Sequence, residues 1–220
     1  MPQFNRLPKH IGFIPDGNRR WAETRGLPQE AGYAAGIEPG FQLMKLCRSL
    51  GIQEVSVYGF TKENVRRPGE QVAAFREATA SFGVRAVEAG VALLAVGDCD
   101  SHVFPDALRP FASERSPGDI KVNLLVNYGW QWDFFSAIEA GRENGEISYR
   151  SAPQALASGQ VSRIDLIIRW GGRRRLSGFL PIQSAYADFY VVDDLWPDFQ
   201  PEHFLQALTW YQEQDITLGG

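Results

Sequence analysis

Six short apolar runs, at residues 11–14, 55–60, 91–96, 121–127, 165–169 and 189–192, alternate along the chain with stretches of helical periodicity. Strands joined through helices need crossover connections, so this alternation calls for an α/β fold: a six-stranded parallel sheet flanked by helices on both faces. The predicted helices cover residues 37–50, 70–89, 105–114, 131–141, 181–187 and 201–212, and residues 143–159 read as a polar loop with one short helix. In the first of these, Ile37, Phe41, Met44, Cys47 and Leu50 recur every three or four residues and Gly51 ends the pattern. No repeat or linker interrupts the sequence, and its 220 residues suit one sizeable core, so a single domain over residues 1–220 is expected.

Three strands run directly into polar loops that begin at Asp16, Thr61 and Trp170. Parallel sheets bind ligands beyond the carboxyl ends of their strands, so these loops should converge on one rim. In the first, Pro15 stops the strand and Asp16-Gly17-Asn18-Arg19-Arg20 opens a helix. Free N–H groups around Gly17 and Asn18, with the guanidinium groups of Arg19 and Arg20, suit a phosphate. A carboxylate such as Asp16 repels that phosphate unless a hard cation such as Mg²⁺ lies between them. The same Asp-Gly-Asn can also serve as a plain helix-capping turn. Arg173, Arg174 and Arg175 form a second basic group, which reads as a second phosphate site, a solvated loop or an RNA contact.

Several chemistries are excluded or disfavoured. A net charge of −4 argues against a general nucleic-acid partner. Cys47, Cys99 and three histidines offer no zinc site and no obvious general base, and there is no phosphate loop of the nucleotide triphosphatase type. Two cysteines form no disulfide framework and fit a reducing cytoplasm, and the sequence has no signal peptide and no apolar stretch long enough to anchor it in a membrane. Diphosphate substrates with Mg²⁺ remain the best chemical fit.

Five ordered stretches carry a resemblance to a known family. They are residues 10–21, Phe60-Thr61-Lys62-Glu63-Asn64 with Arg67-Pro68, Asn127-Tyr128-Gly129, residues 165–179 with Arg169, Gly171-Gly172 and Arg175-Leu176-Ser177, and Leu195-Trp196-Pro197-Asp198-Phe199. Together they resemble the successive signatures of the cis-prenyltransferases, the undecaprenyl diphosphate synthase family. The resemblance implies a homodimer acting on allylic diphosphates, with an apolar tunnel between the sheet and two helices. It implies that Gly17, Asn18, Arg19 and Arg20, with Trp21 and Tyr33, bind the allylic substrate. Asp16 would coordinate Mg²⁺ and assist diphosphate departure, with Asp188 as a further metal ligand. Arg169, Arg175 and Ser177 would take the second diphosphate. Thr61, Asn64 and Arg67 would lie on a mobile loop that closes over the reaction and helps remove a proton.

The sequence also departs from the chain-elongating members. Tyr33 stands where they carry histidine, Gln29 replaces an arginine, Arg19 a glycine, Val65 a tryptophan and Arg173 a glutamate, and Thr217-Leu218-Gly219 replaces an Arg-x-Gly. Bulky Leu124, Leu125 and Val126 lie where long-chain members have small residues, and residues 67–98 are about one helical turn shorter than in those relatives. The product should be short. These features resemble the lavandulyl and cyclolavandulyl branch, in which a dimethylallyl unit replaces isopentenyl diphosphate as acceptor and gives a branched product, open-chain or cyclised. A regular short-chain Z synthase and a non-catalytic accessory subunit are the alternatives, the latter disfavoured by intact Asp16 and Asn18.

Overall fold

The computed structural model describes residues 3–144, 148 and 150–215. Its strands are β1 (His10–Ile14), β2 (Glu54–Thr61), β3 (Ala92–Val96), β4 (Lys121–Tyr128), β5 (Leu166–Arg169) and β6 (Asp188–Val191). They form one sheet in the order β3-β4-β2-β1-β5-β6, and every pair is parallel. The helices are α1 (Asn18–Glu23), α2 (Ala31–Ala35), α3 (Ile37–Ser49), α4 (Gly69–Glu88), α5 (Pro110–Ser113), α6 (Trp130–Asn144), α7 (Ala152–Ala155) and α8 (Pro201–Gln212).

Side chains alternate across each strand and build two cores. Ile11, Phe13, Val55, Leu124, Val126 and Ile168 face α3, α4 and α8, where Met44, Cys47, Phe82, Phe204 and Leu208 meet them. Ile14, Tyr58, Leu94, Leu125 and Ile167 face the other way, against Tyr128, Phe179 and Leu180, with Trp132 of α6 packed on them. Buried polar groups at the amino-terminal edge are paired. His10 bonds the Ser56 hydroxyl at 2.9 Å, and the Asn123 amide donates to Glu54 at 2.7 Å. Burial holds the His10 imidazole below its ordinary pKa, so it stays neutral there.

The sheet places the loops. Ile14 is level with Arg169 across the β1–β5 pair, and Thr61 with Tyr128 across β2–β4, so the ends of β1, β2 and β5 share one edge. The order reverses at β1, which has β2 on one side and β5 on the other, and this is where an open α/β sheet leaves a crevice. A bulge near Gly59 bends β2 at that edge, and a Cβ on Gly59 would come within 2.7 Å of the Leu125 carbonyl.

Two predicted elements are corrected and one element is new. Residues 181–187 form a run of turns, because Leu180 takes a left-handed φ of 37° and the buried Gln183 amide turns inward to Ser158. Residues 105–114 divide into a 3₁₀ turn (Asp106–Leu108) and α5, since Pro110 has no N–H with which to continue the first. The short α2 precedes the predicted start at residue 37 and is too brief to show a period. Thr217, Leu218 and Gly219 lie outside the described residues.

Candidate active site

The three polar loops do meet. Asp16 through Arg20, Thr61 with Asn64 and Arg67, and Arg169 with Arg173, Arg175 and Ser177 line one cleft of about 710 Å³. Gly17 turns the chain into α1 at φ 107°, a conformation that favours glycine, and a Cβ there would press within 2.8 Å of Leu195. Asp16 is therefore set at the mouth of β1. One of its oxygens accepts from Arg169 Nη2 at 2.8 Å, and the other stands 3.6 Å from Arg20. Arg20 also donates to the Gly171 carbonyl at 2.9 Å, which ties the first loop to the third.

Arg169 is almost fully buried; its Nη1 donates to the Arg175 carbonyl and to the Ser177 hydroxyl, while its Nε finds no partner. The Ser177 carbonyl in turn accepts from Tyr58 at 2.8 Å, and Ser177 holds a left-handed φ of 53°. Burial raises the Tyr58 pKa, and the Glu63 carboxylate adds to the shift, so this phenol remains a donor. Among the described residues, Arg19, Arg67, Arg173 and Arg175 line the cleft without an ion-pair partner. Such forks are suited to bidentate anions.

Thr61 and Asn64 are joined at the start of a 3₁₀ turn (Lys62–Arg66), where the Asn64 side-chain oxygen accepts from the Thr61 N–H at 3.1 Å. Two departures noted in the sequence prove to be linked. Arg19 donates to Gln71 at 3.4 Å, Gln71 to Gln29 at 2.8 Å, and Gln29 to Glu23. Tyr33 receives a bond from Arg67 at 2.9 Å and stacks on Phe75, with ring centroids 4.5 Å apart and planes 4° from parallel.

Beyond these two rings lies a small apolar pit of about 80 Å³, lined by Phe13, Leu43, Met44, Val57, Phe82, Leu124 and Trp196 among others. Leu124 belongs to this pit, whereas Leu125 points to the opposite face of the sheet and Val126 packs in the core on the Leu124 face, so only one of the three bulky residues expected to shorten the product lines the pit. Two further expectations fail. Asp188 begins β6 beside Leu166, at the opposite end of the strands from Asp16, so the two cannot share an ion within one chain. Trp21 turns away from the cleft: its indole donates to Asp198 at 2.8 Å, and Arg25 covers its ring. Tyr58, Glu63, Phe75 and Trp130 also line the cleft without having been singled out for it. Nothing in the sequence marks Phe75, which α4 carries in from outside the three loops.

The donor set suits Mg²⁺. Asp16 offers one carboxylate inside a cleft otherwise rich in phosphate-binding groups, and Mg²⁺ commonly takes one or two carboxylates together with substrate phosphates and water. The described residues hold no cluster of three or more acidic, histidine or cysteine ligands that would suit an all-protein metal site.

The family model described as "Putative undecaprenyl diphosphate synthase" matches residues 14–219. An isoprenyl transferase of Heliobacterium mobile is 33% identical, over 98% of this chain and 89% of its own. A ditrans,polycis-undecaprenyl-diphosphate synthase of Pseudomonas putida is 34% identical, over 97% and 91%. Among solved structures, lavandulyl diphosphate synthase from Lavandula x intermedia, in complex with dimethylallyl diphosphate, superposes with a TM-score of 0.85 at 25% identity, covering 97% of this chain and 98% of that one. A probable undecaprenyl diphosphate synthase from Campylobacter jejuni shares the fold with a TM-score of 0.78 at 23% identity, over 98% and 100%.

Proposed function

The chain belongs to the undecaprenyl diphosphate synthase family of cis-prenyltransferases, and from that premise we propose that it joins two dimethylallyl diphosphates irregularly, giving a branched ten-carbon diphosphate and free diphosphate. The 80 Å³ pit beneath the cleft supports a short product, because it leaves no room for a growing polyprenyl chain, and the likeness to lavandulyl diphosphate synthase is the observation that favours irregular coupling.

In this reading the donor diphosphate lies against Gly17, Asn18, Arg19 and Arg20, and the acceptor diphosphate against Arg175, Ser177 and Arg169. Asp16 would hold Mg²⁺ against the donor diphosphate. The ion supplies charge neutralisation on the departing group. Arg19 and Arg20 add to that stabilisation as the allylic C–O bond breaks and its electron pair leaves with the diphosphate. The acceptor double bond then attacks the allylic carbon, and loss of a proton ends the reaction. Apolar groups at the cleft floor, Tyr33, Tyr58 and Phe75, shield the cation from water. Thr61 and Asn64 order the loop that carries Arg67 towards the donor.

The exposed face of α6 supports a homodimer. Trp130, Phe134 and Ile138 recur at four-residue spacing with Phe135 beside them, and all four are solvent-exposed in the single chain.

Incubation with dimethylallyl diphosphate and Mg²⁺ alone tests the reading. A branched ten-carbon product is expected, and product formed only after isopentenyl diphosphate is added would replace it with regular elongation. That second reading is favoured by the names of the sequence relatives, which are isoprenyl transferases and undecaprenyl diphosphate synthases.

A further inference from the structure

Tyr33 and Phe75 line both the polar cleft and the apolar pit, so the stacked pair stands in the wall between them. Its position is built from the backbone outward. A Cβ on Gly32 would fall 1.9 Å from the Asn18 carbonyl, so only glycine there lets α2 lie against α1 and carry Tyr33 to the pit's mouth. The Tyr33 ring is buried, and its hydroxyl is fixed by Arg67. Phe75 comes from α4 and is braced from below by the edge of Phe60, at 5.6 Å and 84°. The Arg67 guanidinium also lies 5.6 Å from the Phe75 ring, so one arginine holds both aromatics.

We propose that the Tyr33–Phe75 stack is a gate that closes the neck of the pit, so that the enzyme accepts a five-carbon allylic diphosphate and rejects a ten-carbon one. The proposal rests on the prenyltransferase reading of the cleft. A five-carbon chain reaches the ring pair with its diphosphate in the basic cleft and needs no space beyond. A ten-carbon chain must send its distal half past the rings, into a pit about half the size of a cavity that takes one benzene, roughly 150 Å³. The gate therefore sets specificity at the neck, and the floor residue Leu124 comes into play only once the neck is open.

The test uses unreactive S-thiolodiphosphate analogues of the dimethylallyl and geranyl chains, titrated calorimetrically with Mg²⁺ into the full-length protein and its Phe75→Ala and Leu124→Ala variants. The unaltered protein is expected to prefer the five-carbon analogue. Phe75→Ala should shift the ratio of affinities towards the geranyl analogue by about tenfold or more, in keeping with what one apolar pocket can discriminate. Leu124→Ala alone should leave the ratio within about twofold. If Phe75→Ala does not fold by circular dichroism, Phe75→Leu, which keeps an apolar side chain without the ring, is expected to give a smaller shift of the same sign. An unchanged ratio in a folded Phe75 variant, or an equal shift in Leu124→Ala, overturns the gate alone. An unaltered protein that binds neither analogue overturns the prenyltransferase reading and the gate with it.

Discussion

Asp16 and Arg169 brace each other across the mouth of the cleft. The guanidinium is buried while the carboxylate remains about a third exposed, so the pair holds a charge that needs its partner beside one free to turn to a ligand. Asp16→Ala should lower turnover by about 10² or more, measured by release of diphosphate. Asp16→Asn keeps an acceptor for Arg169 and should unfold like the parent while losing comparable activity, which separates the chemistry from the bracing. Retained activity in both variants would place the metal elsewhere. At this scale the sequence was informative where loop and chemistry coincide: Asp16, Arg20, Arg169, Arg175 and Ser177 all reach the cleft. It was misleading for Trp21 and Asp188. Their positions depend on a side-chain rotamer and on strand register, and neither leaves a trace in residue order.

At the level of elements, strands and long helices were readable because their apolar periods are long and uninterrupted, as in α3 and α8. The run at residues 121–127 shows the limit. β4 is buried on both faces, so its sequence lacks the polar alternation that would tell one face from the other. Leu124 and Leu125 looked equivalent, yet only Leu124 meets the pit. Each change to Ala should cost about 2–5 kcal/mol in urea unfolding, because each empties part of a packed core. With the neck opened by Phe75→Ala, adding Leu124→Ala should lengthen the products seen by mass spectrometry, and adding Leu125→Ala should leave them unchanged. Equal lengthening by both would mean that the pit reaches through the sheet.

For the molecule as a whole, the cleft sits where the strand order reverses, and the apolar stripe on α6 remains uncovered in the single chain. Phe134 is 52% exposed on that stripe. Phe134→Arg should convert a dimer to a monomer in analytical ultracentrifugation, and a parent protein that already sediments as a monomer would remove the dimer from the account. No described helix is long and apolar enough to cross a membrane. The narrow pit bears on what happens after catalysis. Each methylene adds only about 0.8 kcal/mol to partitioning, and even one fourteen-carbon chain holds to lipid weakly and reversibly. The ten-carbon diphosphate proposed above would therefore leave as an aqueous metabolite, free to reach a downstream enzyme without any handover to a bilayer.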